Sequence, residues 1–236
     1  HLVEDRMDLW VGTQDPEAAM AVAAQETGLP IANISIHNCY SGGSFGRRRS
    51  MDFIREAITI ARSVGKPVQM IWTREEDQRA GEYRPMSVVR FKAGFDLDKQ
   101  LIAYTSHSIT HSIARDKNLD VAGIDPSSTE GLLDLPFNLK HVKISHTDRN
   151  THYTSGYWRS RGHSQNAYAK ECFMDEMAVA AKQDPMSFRR GMYRNQPAVM
   201  DVLEVLQEES GWGKRLPRGS ARGVAIHESF GTICGQ

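Results

Sequence analysis

The chain has 236 residues, 29 Lys and Arg against 29 Asp and Glu, and is 40 % apolar and 25 % charged. This balance excludes a general electrostatic pull toward nucleic acid or an anionic membrane surface, and the composition excludes a disordered chain. No apolar run approaches the roughly 20 residues of a membrane-spanning helix, and the length allows one or two domains with a sizeable core.

The opening His1-Leu2-Val3-Glu4-Asp5 shows no targeting signal. The expectation is a soluble protein, of the cytoplasm or the periplasm, with the compartment left open. Asp8 to Thr13 predicts a short strand. Asp15 then stands as an N-cap with Pro16 at the first helical position, and an Ala-rich helix follows to Thr27, closed by Gly28. Ile31 to Cys39 alternates as a half-buried strand. Ser41 to Arg49 is a Gly-rich and Arg-rich loop. Ser50 is expected to cap a helix over 51–64, whose Phe53, Ile54, Ala57, Ile58 and Ala61 recur at helical spacing, with Gly65 at its end. Pro67 to Trp72 reads as a third strand. The fold class is therefore α+β with mixed sheets and packed helices, opening as β-α-β-α-β.

Thr73 and Glu76 form a capping box for a short helical turn. Ser87–Leu97 and Leu101–Ile113 alternate around a hairpin turn at Asp98-Lys99-Gln100. Residues 115–130 show no period and read as loop. Leu139 to His146 alternates again, and 147–162 is irregular. Helices are expected over 164–182, from Asp184-Pro185 to Tyr193, and over 199–209, with a closing strand at 223–230. The expected division is a first block, 1–80, and a second, 81–236. Cys39, Cys172 and Cys234 are odd in number and far apart, which predicts packing residues rather than a disulfide framework or a metal knuckle.

Two loops carry the candidate chemistry. In Ser41-Gly42-Gly43-Ser44-Phe45-Gly46-Arg47-Arg48-Arg49, glycines let backbone N–H groups turn toward one point. The next helix adds its N-terminal donors, and three arginines raise the potential. That pattern suits a phosphate or another anionic cofactor oxygen. It equally describes a tight turn beside a solvated basic patch. The spacing is not the GxGxxG of a dinucleotide site. Gly156-Tyr157-Trp158-Arg159-Ser160-Arg161-Gly162-His163-Ser164-Gln165 is a second irregular loop feeding a helix, in which the Arg159 fork suits an oxygen-rich group. Its plain alternative is two aromatic core anchors and surface arginines. His107 and His111 share one face of a strand but lie about 13 Å apart at ~3.3 Å per residue, too far to share a metal, so no metal site is expected. Glu75-Glu76-Asp77 reads as a helix start rather than an acid–base cluster.

Several segments together resemble one family, the molybdopterin-binding subunit of xanthine dehydrogenase-type enzymes. Gly42 to Gly46 is similar to its GGGFG loop. Trp72-Thr73-Arg74-Glu75-Glu76-Asp77, followed by Tyr83-Arg84-Pro85, is similar to its W-T-R-x-E-D segment. Tyr157 to Gln165 resembles its F-R-G-x-G-x-x-Q loop. Glu171 to Ala178, then Asp184-Pro185 and Phe188-Arg189, resembles its E-x-x-x-D-E-x-A helix and D-P-x-x-x-R turn. The wording W-R-S-x-G-H-S-Q-N-A is nearest the isoquinoline 1-oxidoreductase β-subunit branch, which has aldehyde-oxidising relatives.

The resemblance implies molybdenum hydroxylase chemistry on an N-heteroaromatic ring or an aldehyde, with water as the oxygen source. It also implies a molybdopterin cofactor, a small 2Fe–2S partner subunit, and a cytochrome as a further electron acceptor. Carried over residue by residue, Gln14, Gly42, Gly43, Ser44, Phe45, Gly46 and Arg159 are the cofactor-binding candidates. Arg49 and Arg161 stand where purine-oxidising members place a substrate-binding Glu and a stacking Phe, so they are substrate-side candidates and purine oxidation is not expected. The family's catalytic Glu lies in a G-x-G-E segment that this chain lacks, so none of its residues is assigned as catalytic. The expectation is a central piece of a longer subunit, inactive and without cofactor on its own. The alternative is a non-catalytic module whose Gly/Arg loops bind an anionic ligand or a partner.

Overall fold

The computed structural model describes residues 1–133, 135 and 139–236, which divide into two compact units. The first holds 1–84 together with 151–159, and the second holds 85–150 and 160–236. Residues 151–159 thus group with the opening of the chain, not with the block 81–236 in which the sequence reading placed them.

In the first unit β1 (Leu2–Val3) and β2 (Arg6–Val11) are antiparallel, and β2 runs parallel to β3 (Ile34–Asn38) in register Met7↔Ile34 to Val11↔Asn38. Between them α1 (Pro16–Thr27) starts where the Asp15 side chain accepts from the Ala18 N–H at 3.1 Å and ends at left-handed Gly28. Ile31–Asn33 is a 3₁₀ turn, so β3 is shorter than the alternation predicts. The helix α2 (Asp52–Val64) buries Ile54 and Ile58 against Met7, Ala19, Val22, Ala23 and Ile34. Its start corrects the sequence reading. Met51 occupies the N-cap position, and Ser50 donates its hydroxyl to Glu82 at 2.6 Å.

The expected third strand also fails. Residues 67–72 keep a strand's alternation, with Val68, Met70 and Trp72 half-buried and Gln69 and Ile71 exposed, but they join no ladder among the described residues. The unit therefore opens β-β-α-β-α, followed by α3 (Arg74–Ala80), where Thr73 Oγ1 accepts from the Glu76 N–H.

The second unit is built on β4 (Ser87–Phe95), β5 (Leu101–Thr110) and β6 (His141–Asp148), with β4–β5 antiparallel and β5–β6 parallel. The turn between β4 and β5 holds left-handed Lys99 at φ 61°, as a hairpin centred there requires. The stretch read as loop contains two short helices, α4 (Ile113–Asp116) and α5 (Pro126–Thr129). The long helix α6 (Gly162–Ala181) lays Met174, Met177 and Ala178 on Tyr104 and Phe188. The helices α7 (Pro185–Met192) and α8 (Pro197–Glu209) enclose a second core with Val224 and Ile226. A hairpin of β7 (Ile226–Ser229) and β8 (Thr232–Gly235) closes the unit. Cys39, Cys172 and Cys234 are exposed free thiols, not packing residues. Among the described residues no helix is long and apolar enough to cross a membrane.

Asp125 ties α4 to α5. One carboxylate oxygen accepts from Ser112 Oγ at 2.8 Å and the Ala114 N–H at 3.0 Å, the other from the Ser127 N–H and Oγ at 2.8 and 2.7 Å. Burial pushes the carboxyl up, and these donors more than offset it, so its pKa lies below the ordinary 3.8. Asp125→Asn turns an NH₂ toward two of the donors and is expected to cost about 2 kcal/mol in urea unfolding. The native contribution is full above the unfolded pKa of about 4 and is lost as pH falls through the lower folded value. Equal midpoints for the two proteins at pH 7 would refute this account.

Candidate functional site

The glycine loop owes its shape to a run of left-handed residues. Gly42, Gly43, Phe45 and Gly46 have φ of 64°, 119°, 51° and 94°. A bulky non-glycine residue in this region is strained, and such strain gathers at functional sites. A Cβ on Gly42 would meet nothing within 4 Å, so the backbone there is open to close approach by a bound group.

Gln14 and its neighbour stitch the loop to the end of β2. The Gly46 N–H donates to Gln14 Oε1 at 2.9 Å, and the Gln14 N–H and Thr13 Oγ1 both donate to the Arg48 carbonyl, at 3.1 and 3.0 Å. With its carbonyl oxygen engaged, the Gln14 amide keeps its NH₂ as a donor for a ligand. The second loop closes on the first. A Cβ on Gly46 would sit 2.5 Å from the Tyr157 carbonyl oxygen and 3.0 Å from Trp158 Cα. The Arg159 guanidinium lies 4.4 Å from the Phe45 ring centroid, a cation–π contact.

This second loop is itself held by 82–84, which sequence reasoning missed as a strut. The Trp158 indole donates to the Glu82 carbonyl at 3.0 Å, Arg84 donates to the Arg159 carbonyl at 2.8 Å, and Tyr83 bridges to Ser155. The Tyr83-Arg84-Pro85 run is the sequence signal that marks this strut.

The three loop arginines each have a partner within the first unit. Arg47 forks onto Asp52 at 3.1 and 2.9 Å and reaches Asp77 at 3.3 Å. Burial alone would lower its pKa, but these carboxylates more than offset that and raise it. Arg48 donates to the Gly12 carbonyl at 2.8 Å, and Arg49 pairs with Asp15 at 3.4 Å. Asp77, from the acidic run at the start of α3, thus serves a structural role.

Gln14, Gly42, Gly43, Ser44, Phe45, Gly46 and Arg159 are brought together within the first unit. Arg161 belongs to the second, where it pairs with Glu130 and lies 5.2 Å from the Phe230 ring centroid. His107 pairs with Thr147, and buried His111 with Asp116. No group of three or more His, Cys, Asp or Glu among the described residues is placed to hold a metal ion.

An open backbone, an oriented amide donor and one guanidinium make a donor set that fits an anionic, oxygen-rich group. The chain belongs to the molybdopterin cofactor-binding domain family, whose model matches residues 2–193. It is 27 % identical over 229 residues to the isoquinoline 1-oxidoreductase subunit beta of Brevundimonas diminuta, covering 93 % of this chain and 28 % of that protein. It is 26 % identical over 249 residues to the membrane-bound aldehyde dehydrogenase (pyrroloquinoline-quinone) of Gluconacetobacter polyoxogenes, covering 92 % and 31 %. Its fold is similar to that of quinoline 2-oxidoreductase from Pseudomonas putida 86, with a TM-score of 0.68 at 19 % identity over 86 % of this chain and 28 % of that one. The chain therefore spans about a third or less of the length of these relatives.

Proposed function

We propose that this chain forms part of the cofactor cradle in a molybdopterin-dependent oxidoreductase subunit. That subunit hydroxylates an isoquinoline-like N-heteroaromatic or oxidises an aldehyde, with water as the oxygen source. The observation that carries the reading is the meeting of Gln14, the Phe45 loop and Arg159 at one place. The family match favours this reading over an unrelated anion-binding module.

When bound, the molybdenum cofactor supplies the oxygen transfer and takes up the electron pair. The chain supplies orientation. Gly42 would admit the group against open backbone, Gly43 would keep the left-handed turn beside the Phe45 ring, the Gln14 NH₂ would donate to one of its oxygens, and Arg159 would offer positive charge beside that ring. Arg49 and Arg161 remain substrate-side candidates. Each is paired with a carboxylate, Arg49 with Asp15 and Arg161 with Glu130. The base that activates water is assigned to a Glu outside this chain. A small 2Fe–2S subunit and a cytochrome complete the proposed electron path.

In the full-length subunit, molybdenum by elemental analysis and pterin by fluorescence are expected near one per subunit. Removing a hydrogen bond to a charged group, about 1.5–3 kcal/mol, predicts roughly 10–100-fold weaker retention in Gln14→Ala and Arg159→Ala. Turnover of isoquinoline or an aromatic aldehyde should fall in parallel. Absence of molybdenum from the wild type under cofactor-replete expression would overturn the reading. The isolated 236-residue chain is expected to hold neither molybdenum nor pterin.

A further inference from the structure

The three-stranded sheet of the second unit has two unlike faces. Phe91 and Tyr104 point to one side, where Phe91 stacks on Phe173 of α6 at 4.9 Å and the core begins. Side chains alternate across a strand, so the residues between them point the other way. The registers put Arg90, His107 and Ser145 in one row on that outward side, and Lys92, Thr105 and Lys143 in the next. Arg90, Lys92, His107 and Lys143 are all exposed. Val88 and Ile109, paired in the adjoining row, are 61 % and 37 % exposed.

This face carries one sign of charge. No Asp or Glu stands at an outward position of β4, β5 or β6, although the chain as a whole has 29 Asp and Glu for 29 Lys and Arg. Strands lie about 4.8 Å apart and alternate residues roughly 6.6 Å, so the charges of Arg90, Lys92 and Lys143 fall within about 12 Å of one another. No carboxylate among the described residues pairs with any of the three. By contrast Arg47, Arg115, Arg161 and Arg189 each pair with one. A face that only meets water gains from mixing signs, because like charges brought close repel. Unpaired cations beside an exposed apolar pair have instead the make-up of a docking surface. Charge selects and steers the partner, and Val88 and Ile109 offer area to bury.

We propose that this face docks an acidic surface of the small 2Fe–2S partner subunit; the assignment rests on the oxidoreductase reading, which calls for that subunit. Charge complementarity chooses the occupant. A second copy of this chain would set the same cations against one another in a two-fold interface. A nucleic acid strand is bound on aromatic platforms, and no outward position of the three strands holds Phe, Tyr or Trp. An acidic protein surface meets the Arg90 fork with a paired carboxylate and the Lys92 and Lys143 ammonium groups with single ones, and it covers Val88 and Ile109.

The test is lysine acetylation of the full-length subunit, alone and in complex with the 2Fe–2S subunit, read by peptide mass spectrometry. Exposed Lys66 of the first unit is the control for intrinsic reactivity. The expected result is labelling of Lys92 and Lys143 close to that of Lys66 in the free subunit, and about tenfold slower in the complex. The triple variant Arg90→Gln/Lys92→Gln/Lys143→Gln is expected to bind the 2Fe–2S subunit about tenfold more weakly at low salt. It should also lose most of the wild type's weakening between about 50 and about 500 mM salt. Lysines already unreactive in the free subunit overturn the proposal, because the subunit's own polypeptide then covers the face. So do equal labelling in both states, failure of the two subunits to bind, and a triple variant with wild-type affinity and salt dependence. Molybdenum content of the same preparations reports on the oxidoreductase reading separately. A loaded subunit whose lysines stay reactive in the complex refutes the docking face alone.

Discussion

Gly46→Val in the full-length subunit is expected to abolish pterin loading and to cost about 3 kcal/mol or more in folding stability. Two effects add. At φ 94° any L side chain is strained, and a Cβ there would sit 2.5 Å from the Tyr157 carbonyl oxygen and 3.0 Å from Trp158 Cα. Both neighbours are backbone, so no side-chain rotation relieves the clash. The two loops must part, which takes Arg159 off Phe45 and breaks the Gly46 to Gln14 bond. Gly43→Val is the informative contrast. Its φ of 119° is also strained, but its Cβ would meet the edge of the Phe45 ring at 3.0 Å, and a ring can turn. Gly43→Val should therefore lose the cofactor with little loss of folded protein. Gly42→Ala has open space and only the backbone cost of a positive φ, about 1 kcal/mol. Pterin fluorescence and thermal unfolding separate the three. Wild-type pterin content in Gly46→Val would show that the meeting of the loops does not form the cradle.

The parts of this fold that were legible in sequence are those in which local chemistry decides. Asp15-Pro16, Thr73 and Asp184-Pro185 each open a helix where they stand, because a side-chain oxygen and a ready φ satisfy the first turn whatever packs around it. The turn at Asp98-Lys99-Gln100 was legible for the same reason. What was not legible depends on partners distant along the chain. Ser50 looks like a cap but is claimed by Glu82. Residues 67–72 look like a strand but join no ladder among the described residues. The helices at 113–116 and 126–129 are too short to show a period. At the candidate site, glycine spacing announced the loop, but the fate of its arginines depended on Asp52, Asp77 and Asp15, whose proximity only the fold reveals. Arg159 and Arg161 are two residues apart, yet they fall in different units.

Arg189→Met is expected to be the most destabilising change in the second unit. The Arg189 side chain is fully buried. Its Nε donates to Glu171 Oε2 and its Nη2 to the Glu171 carbonyl, both at 3.0 Å, while Nη1 reaches Asp175 at 2.6 Å and the Pro185 carbonyl at 3.3 Å. Glu171 is itself only 6 % exposed at its side chain, and the same Oε2 accepts from the Ile226 N–H at 3.0 Å, joining β7 to α6. The charge of Glu171 reaches further into the interior. The Tyr104 and Tyr193 hydroxyls are pushed well above the ordinary tyrosine range, first by burial and then by that carboxylate. Met fills similar space but leaves a buried carboxylate without its cation, which typically costs about 3–5 kcal/mol. For a domain of this size that is a drop in melting temperature on the order of 6–20 °C. Glu171→Gln alone removes the charge, keeps an acceptor for Ile226 and should cost less. The double variant Glu171→Gln/Arg189→Met should recover much of the loss, because the stranded charge is then gone. A double-mutant cycle by thermal unfolding is expected to give a coupling of about 2 kcal/mol or more. A coupling below about 0.5 kcal/mol would mean that Arg189 acts through packing alone, and that the α6–α7 junction does not depend on this ion pair.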